Sequence, residues 1–300
     1  TEIVDICDKG KGLFLSQTAL KKLNIVEQNF PNNQDIGSIN VTNAHNKETH
    51  QLAECGCPQR EPCPPIPEKL PFPATEEYRE NIETWIKEYF ATSAFNTCPH
   101  QKLQAMTGEP LNISFREHYT TYAVHKPIPV PHHWKEAVKA QLDQDVNLGI
   151  LEAVPAGTPT TWCSRMVTVP KKDGTPRRTV DLQKLNAATN RETHHTQSPF
   201  HVVNTIPKNT LKSKLDAWNG YHSIPLADNA RDATTFITEW GRYRYLRAPQ
   251  GFHASNDAYT KRFDDITSGF ARVRRIVEDS ILWDNDMATS FWHVVEYIKL

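Results

Sequence analysis

The stretch Ile276-Val-Glu-Asp-Ser-Ile281 places two acidic residues, Glu278 and Asp279, inside an otherwise apolar β-type run. Carboxylates in such a run cost free energy unless they bind a cation or another partner. A third acid closes the segment Lys214-Leu-Asp216 and is expected at the end of a strand. One carboxylate from one strand and a pair from a hairpin can hold two Mg²⁺ ions for phosphoryl transfer. Any one of these acids alone is more often a turn or edge residue, so only the joint pattern indicates chemistry.

Basic and polar residues surround these acids in the sequence. A turn at Asp173-Gly174 is flanked by four cations, an arrangement that suits phosphate binding: Lys171, Lys172, Arg177 and Arg178. Tyr221 lies five residues after Asp216, and the turn Arg247-Ala-Pro-Gln-Gly-Phe252 presents the amide of Gln250 before a helix. The sequence therefore predicts a polar site assembled from several separate turns and strand ends.

The chain from Ile150 onward alternates short β-rich runs with turn signals. The predicted strands are Ile150–Val154, Ser164–Val169, Arg178–Leu182, Thr234–Thr238, Tyr243–Arg247, Val273–Val277 and Ser280–Trp283. A helix is predicted at Ala254–Thr267, and helical spacing predicts two more upstream, one beginning at Thr75 and one between Pro131 and Gly149. The pattern is typical of a mixed α and β fold.

Residues 125–300 resemble the reverse transcriptase of gypsy-type LTR retrotransposon Pol polyproteins. Val169-Pro-Lys-Lys-Asp-Gly-Thr-Pro-Arg-Arg-Thr-Val-Asp-Leu-Gln-Lys-Leu-Asn186 resembles the fingers hairpin of that family. Leu215-Asp-Ala-Trp-Asn-Gly-Tyr-His222 resembles the strand with the first catalytic aspartate, and the stretch 235–252 is also characteristic. The resemblance implies an α+β right-hand polymerase fold with fingers, a palm and an antiparallel palm sheet.

The resemblance also implies an activity, RNA-directed DNA polymerisation by nucleotidyl transfer to a primer 3′-OH. Asp216, the backbone carbonyl of Ala217, and Glu278 with Asp279 would hold two Mg²⁺ ions, with Mn²⁺ as an alternative. Lys171 and Arg177 would contact the triphosphate of the incoming deoxynucleotide, Tyr221 would pack under its sugar and exclude a 2′-hydroxyl, and Gln250 would line the same pocket. The implied partners are an RNA or DNA primer-template and deoxynucleoside triphosphates. No membrane partner is implied, and the oligomeric state is left open.

The resemblance divides the chain into four segments. Residues 1–28, with Gly12-Leu-Phe-Leu-Ser-Gln-Thr-Ala-Leu-Lys-Lys-Leu23, look like the C-terminal remnant of a retropepsin-like protease. The Asp-Thr/Ser-Gly motif of such proteases is absent from the sequence, so no protease activity is expected. Residues 29–73 are read as a polar and then proline-rich linker, since seven of the 21 prolines fall between Pro58 and Pro73. Residues 74–124 are read as a helical connector, and 125–300 as incomplete fingers and palm.

Two departures from the family favour a competing hypothesis. Glu278 stands where the family has its metal-binding aspartate, and the added methylene displaces the carboxylate. Mg²⁺ requires near-ideal geometry at about 2.0–2.1 Å, and a misplacement of about 1 Å can cost on the order of 10²-fold in rate. The chain also ends at Leu300, where a thumb is expected to follow, so the copy is read as truncated before the thumb. The alternative is therefore a catalytically inactive remnant that binds nucleic acid at most.

Composition sets wider bounds. The 34 basic and 35 acidic residues leave a net charge of −1, so bulk charge does not indicate a nucleic-acid binder. The sequence has no charged and apolar leader, which predicts an intracellular protein of the cytoplasm or nucleus with reduced thiols. A zinc site at Cys55, Cys57, Cys63 and Cys98 is a weaker reading, since the spacing does not match a zinc finger. Six arginines fit either a nucleic-acid backbone or ordinary strands, and the residues leave both open: Arg242, Arg244, Arg247, Arg272, Arg274 and Arg275.

Overall fold

A computed structural model describes residues 60–95, 103–195 and 198–300 of the chain. The segment read as a protease remnant, 1–28, and the part of the linker up to residue 59 lie outside the described residues. Three of the four cysteines of the zinc reading, Cys55, Cys57 and Cys98, lie outside them too, while Cys63 is exposed and unpaired. Every described residue falls within one unit of the chain, Gly56–Leu300.

Eight strands and seven α-helices form in the described residues. The strands are β1 Leu151–Val154, β2 Ser164–Pro170, β3 Pro176–Val180, β4 Leu211–Asp216, β5 Phe236–Thr238, β6 Gly241–Tyr245, β7 Val273–Ile276 and β8 Asp279–Asp284. The helices are α1 Arg79–Tyr89, α2 Lys135–Asn147, α3 Gln183–Ala188, α4 Pro199–Asn204, α5 Asp228–Arg231, α6 His253–Ile266 and α7 Met287–Ile298. Short 3₁₀ turns precede α1 and α2, at Glu76–Tyr78 and His132–Trp134.

The smaller sheet contains three antiparallel strands in the order β4-β8-β7. β4 alternates half-buried and exposed residues along its length, as a strand with one face on a core must. β7 and β8 are joined by a two-residue turn, because Ile276 pairs with Asp279. This sheet confirms the antiparallel palm sheet that the sequence predicts.

The larger sheet contains five strands in the order β1-β6-β5-β2-β3. Its only parallel pair is β2 with β5, and its other pairs are antiparallel. Apolar residues of this sheet and of α2 form one core, in which Val138, Leu142, Leu151 and Phe236 are almost fully buried. The apolar face predicted for the helix after Pro131 therefore packs as expected.

A second core lies between the smaller sheet, α1 and α7. Ile82 and Ile86 of α1 meet Leu282 of β8 and Val295 of α7 there. The side chain of Asp286 caps α7 by accepting a hydrogen bond of 2.9 Å from the Thr289 N–H. This core supports the strands that carry Asp216 and Asp279 from behind.

The described part of the segment read as a helical connector, residues 74–95 and 103–124, is helical only near its start. The helix expected from Thr75 is present as the 3₁₀ turn and α1, which together end at Tyr89. Residues 103–124 contain no helix and are instead held by single bridges to distant segments: Leu111 to Leu226, Phe115 to Thr189 and Ala123 to Cys163. This stretch is rich in polar residues and contains Gly108 and Pro110, so it lacks the apolar periodicity of a helix that packs on a core. Its backbone groups pair with other elements instead.

The end of the proline-rich segment packs against the second core. Leu70 and Phe72 contact this core, and the Tyr89 hydroxyl donates a hydrogen bond of 3.1 Å to the Pro65 carbonyl. Residues 65–73 are thus attached to α1 rather than free of it. Within the described ranges, none of the helices combines the length and apolar composition that a bilayer span requires.

Candidate active site

Asp216 is the last residue of β4 and faces solvent. The strand's exposed residues are Lys212, Lys214 and Asp216, and its half-buried residues face the second core. Asp216 lies directly opposite Asp279 of β8 in the antiparallel register. Asp216 of the first strand and Asp279 of the neighbouring hairpin therefore lie side by side at one end of the sheet.

The turn between β7 and β8 consists of Val277 and Glu278. Val277 has φ of 58°, which puts a β-branched residue in the left-handed region at a cost of about 1–3 kcal/mol. The Glu278 carbonyl accepts a hydrogen bond of 3.1 Å from the Ala217 N–H. The turn is thereby attached to the residue that follows Asp216.

The Glu278 carboxyl lies in a half-buried position beside Gly220. In the part of the chain that the structure describes, no hydrogen bond of good geometry reaches its buried Oε1 atom. Burial raises the pKa of Glu278, weak hydrogen bonding from the backbone N–H of Tyr221 lowers it, the charges of Asp216 and Asp279 raise it, and the N–H of Gly220 lowers it slightly. A buried carboxylate oxygen that accepts no well-formed hydrogen bond is a candidate ligand atom.

Gly220 is required by this packing. A Cβ atom at this position would lie 2.8 Å from Cζ of Tyr259 and 3.0 Å from Oε1 of Glu278. The Tyr259 ring is almost fully buried and cannot move aside easily. Only a residue without a side chain therefore lets Glu278 and Tyr259 approach the loop after β4.

Asp279 is held by Lys214, which sequence reasoning did not identify. The Lys214 Nζ atom lies 3.0 Å from Oδ1 of Asp279, and both side chains are partly exposed. The hydrogen bond with Asp279 and the charge of that carboxylate raise the pKa of Lys214. An exposed pair of this kind contributes little stability. The sequence contains part of the information, because residues two positions apart in a strand, such as Lys214 and Asp216, lie on the same face.

The carboxylate and carbonyl oxygens at this end of the sheet are of the kind that binds a divalent cation. Carboxylate and carbonyl oxygens are hard ligands of the kind that Mg²⁺ takes, and the buried Oε1 of Glu278 is one such atom. The three acids are not gathered as one ligand set, however. Within the described ranges, no group of three His, Cys, Asp or Glu side chains is placed to hold a metal ion. Lys214 holds Asp279, and Glu278 faces Gly220.

Tyr221 lies next to this acidic end. Its hydroxyl donates a hydrogen bond of 3.1 Å to Oδ1 of Asn256 in α6, and its ring meets that of Tyr259 edge-on at 5.5 Å. Burial, and then the charge of Glu278, raises the pKa of Tyr221. Asn256 fixes this ring and was not identified from the sequence, because the contact joins two segments 35 residues apart.

Lys171 and Arg177 lie at the tip of the β2–β3 hairpin. The turn is closed by the Lys171 N–H, which donates to the Thr175 carbonyl at 2.8 Å, and Gly174 has φ of 80°. Among the described residues, neither Lys171 nor Arg177 forms an ion pair, and both are exposed. Arg178 differs from the prediction: it points away from the tip and pairs with Asp145. The free basic surface of the hairpin is therefore Lys171, Lys172 and Arg177.

Gln250 is exposed in the turn before α6. The Asn186 side chain fixes this turn, since its amide nitrogen donates to the Gly251 carbonyl at 2.8 Å and its Oδ1 accepts from the His253 N–H at 3.0 Å. Contacts connect Asp216, Ala217, Tyr221, Glu278 and Asp279 into one group. Among the described residues, no hydrogen bond or ion pair joins Lys171, Arg177 or Gln250 to that group.

All six arginines are used inside the fold. Each has an acidic side chain or a backbone carbonyl as a partner: Arg244 with Glu152 and Asp232, Arg272 with Asp284, Arg275 with Asp264, Arg247 with the Leu103 carbonyl, Arg242 with the Pro155 carbonyl, and Arg274 with the Val273 carbonyl. Of the two readings left open, these contacts favour ordinary structural residues.

Comparison with protein families finds a match for the central part of the chain. Residues 169–277 match the family described as reverse transcriptase (RNA-dependent DNA polymerase). The match includes Asp216 and stops one residue before Glu278.

Two relatives are Pol polyproteins from Drosophila melanogaster. The retrovirus-related Pol polyprotein from transposon gypsy is 22% identical over 77% of this chain and 22% of its own length. The polyprotein from transposon opus is 27% identical over 55% of this chain and 17% of its own length. This chain thus spans about a fifth of the length of these relatives.

The fold is similar to that of a solved viral enzyme. The foamy viral protease-reverse transcriptase in complex with an RNA/DNA hybrid superposes with a TM-score of 0.65, at 16% identity, over 75% of this chain and 29% of that one. At this level of identity the likeness concerns the fold. It agrees with the α+β fingers and palm that the sequence predicts.

Proposed function

We propose that the end of the smaller sheet is an active site for RNA-directed DNA synthesis. Residues 169–277 match the reverse transcriptase family, and the relatives of the chain include retrotransposon Pol polyproteins. One observation carries this proposal: the β4–β8 register puts Asp216 opposite Asp279, with Glu278 in the adjoining turn. Neighbouring acids from two strands can supply the carboxylate ligands of the two metal ions that stabilise an in-line nucleotidyl transfer.

The same residues would hold the cation. Asp216, the Ala217 carbonyl, Glu278 and Asp279 would bind Mg²⁺, as two ions, with Mn²⁺ as an alternative. When bound, the cations supply positive charge against the negative charge that develops on the phosphate oxygens. Asp279 would have to exchange its contact with Lys214 for this role, and an exposed pair can do so at small cost.

The chain's own residues bind and orient the substrates. Lys171 and Arg177, free of ion pairs at the hairpin tip, would bind the triphosphate of the deoxynucleotide. Tyr221, fixed by Asn256, would lie under the sugar and exclude a 2′-hydroxyl by contact, and Gln250 would line the same pocket. The primer 3′-hydroxyl releases its proton to solvent and its oxygen forms a bond to the α-phosphorus. The bond from that phosphorus to the β-phosphate oxygen breaks, and pyrophosphate leaves.

The proposed macromolecular partner is a primer-template with an RNA template strand. A viral protein of similar fold has been solved with an RNA/DNA hybrid. Oligomeric state is left open, and a site of action in the cytoplasm or nucleus remains a prediction from the sequence.

A second candidate is a catalytically inactive domain that binds nucleic acid. Its support is the arrangement of the acids, since Glu278 replaces aspartate, faces Gly220, and is not gathered with Asp216 and Asp279 into one ligand set. Such a domain would still bind a primer-template through Lys171, Lys172 and Arg177.

Primer extension on an RNA template with Mg²⁺ separates the two candidates. The chain as written, Glu278→Asp and Asp216→Asn are compared at equal concentration, each with its folding verified by circular dichroism. Extension by the first two and not by Asp216→Asn supports the enzyme, and Glu278→Asp should be modestly faster. If none of the three folded proteins extends the primer, and primer-template affinity falls steeply with salt concentration, the inactive nucleic-acid-binding domain is supported.

A further inference from the structure

The strained turn that carries Glu278 has a buried cation behind it. Val277 is in the left-handed region without being glycine, so the turn needs contacts that hold it there. The Arg275 side chain is 7% exposed, and its Nη2 donates a hydrogen bond of 2.9 Å to the Val277 carbonyl. This bond fixes the carbonyl of the strained residue directly.

Arg275 ties that carbonyl to α6. Its Nη1 donates to Oδ1 of Asp264 at 2.7 Å and to the Thr260 carbonyl at 3.3 Å. Its guanidinium lies over the Phe263 ring, 4.0 Å from the ring centroid. A planar fork with donors on two sides suits this bridge, and a lysine could not make all of its bonds.

The other side of the turn contacts the end of β4. The Glu278 carbonyl accepts from the Ala217 N–H at 3.1 Å, and Ala217 follows Asp216. The turn is therefore held between α6 on one side and the residue after Asp216 on the other. A shift of the Val277 carbonyl would move Glu278 relative to Asp216.

We infer that Arg275 is a positioning residue that sets the location of Glu278 relative to Asp216 by holding the Val277 carbonyl against α6. The inference deepens the proposed function and rests on it for its kinetic consequence. Arg275 does not touch the acids itself and acts through the backbone of the turn.

The test compares Arg275→Met and Arg275→Lys with Arg274→Met in the full chain. Arg274 is the matched control, because it is adjacent on β7 and stacks on Trp283 at 5.3 Å, with no bond to the turn. Amide hydrogen exchange at Ala217 reports the turn directly and needs no activity. Primer extension then gives kcat, KM for deoxynucleotide and Kd for the primer-template.

Arg275→Met should speed exchange at the Ala217 amide by about 10-fold or more, with protection of the remaining β4 amides retained. It should lower kcat by about 10-fold while KM and Kd change by less than about twofold. Arg275→Lys should fall between this variant and the parent, and it carries the test alone if Arg275→Met does not fold. Arg274→Met should match the parent.

Three results would overturn the inference: unchanged exchange at Ala217 in both Arg275 variants, uniform loss of protection across the whole sheet, or an equal effect of Arg274→Met. If the parent does not extend primers, the proposed function fails. The exchange measurement at Ala217 still decides whether Arg275 holds the turn.

Discussion

Strand β8 has acids at both ends, and the two ends differ in how their carboxylates are held. At the C-terminal end, Asp284 is fully buried between Nδ1 of His293, at 2.8 Å, and Nε of Arg272, at 2.9 Å. His293 in turn contacts the Ala271 carbonyl at 2.8 Å and stacks on Phe270. This acid is paired with a guanidinium and an imidazole, as a structural carboxylate must be, although its Oδ1 contacts Arg272 as an ion pair without hydrogen-bond geometry.

The N-terminal end of β8 is arranged in the opposite way. Asp216 is exposed, Asp279 pairs with the partly exposed Lys214, and within the described ranges no hydrogen bond of good geometry reaches the buried Oε1 of Glu278. Val277 adds backbone strain beside it. Unpaired acids and strain are costs to stability, and they are retained where a site must meet a ligand. Removing acids from the two ends should therefore have opposite consequences.

The largest expected effect is at the structural end. Asp284→Ala leaves His293 and Arg272 without their carboxylate and should lower the free energy of unfolding by about 3–5 kcal/mol. Urea denaturation followed by circular dichroism measures this. Asp286→Ala is the matched control, since it removes a nearby exposed carboxylate that caps α7, at a cost of about 1 kcal/mol. Equal losses for the two variants would contradict the structural role of Asp284.

Next in size is a change that should affect activity alone. Asp216→Asn should reduce primer extension by more than about 100-fold while the free energy of unfolding stays within about 0.5 kcal/mol of the parent. Asp216 is exposed, so its charge contributes little to folding. Both quantities are measured on one preparation, with Asp265→Asn as an exposed acid of α6 for comparison. A large loss of stability in Asp216→Asn would remove the contrast between the ends.

A change at Gly220 tests the packing that brings the two sides of the site together. Gly220→Ala places a Cβ 2.8 Å from the Tyr259 ring and should lower the free energy of unfolding by about 1–3 kcal/mol. Primer extension should fall as well, because Glu278 is displaced by the same atom. Gly220→Val should be worse in both assays. If Gly220→Ala changes neither the free energy of unfolding nor primer extension, the loop after β4 can shift to accommodate the Cβ atom.

Much of this arrangement could be predicted because it is local in sequence. The apolar runs on either side of Glu278 and Asp279 placed β7 and β8 within one residue of their observed ends, and Asp216 was expected at the end of a strand whose start was not predicted. The contacts that hold the site were not predictable in this way. Lys214 with Asp279 depends on the strand register, and Tyr221 with Asn256 depends on how α6 lies across the loop. Residues 103–124 were misread for the same reason, since their partners are elsewhere in the chain.

The smallest effect has the opposite sign and is the most specific to the comparison. Glu278→Gln removes a charge that burial and two neighbouring acids disfavour, as the raised pKa of Glu278 indicates. The free energy of unfolding at pH 7 should therefore rise by about 0.5–1 kcal/mol, while primer extension falls. Asp279→Asn is the control, because losing its exposed pair with Lys214 should change stability by less than about 0.5 kcal/mol. If Glu278→Gln instead destabilises the protein, the carboxylate has a favourable partner in the fold, and the site end of β8 is held in the same way as Asp284.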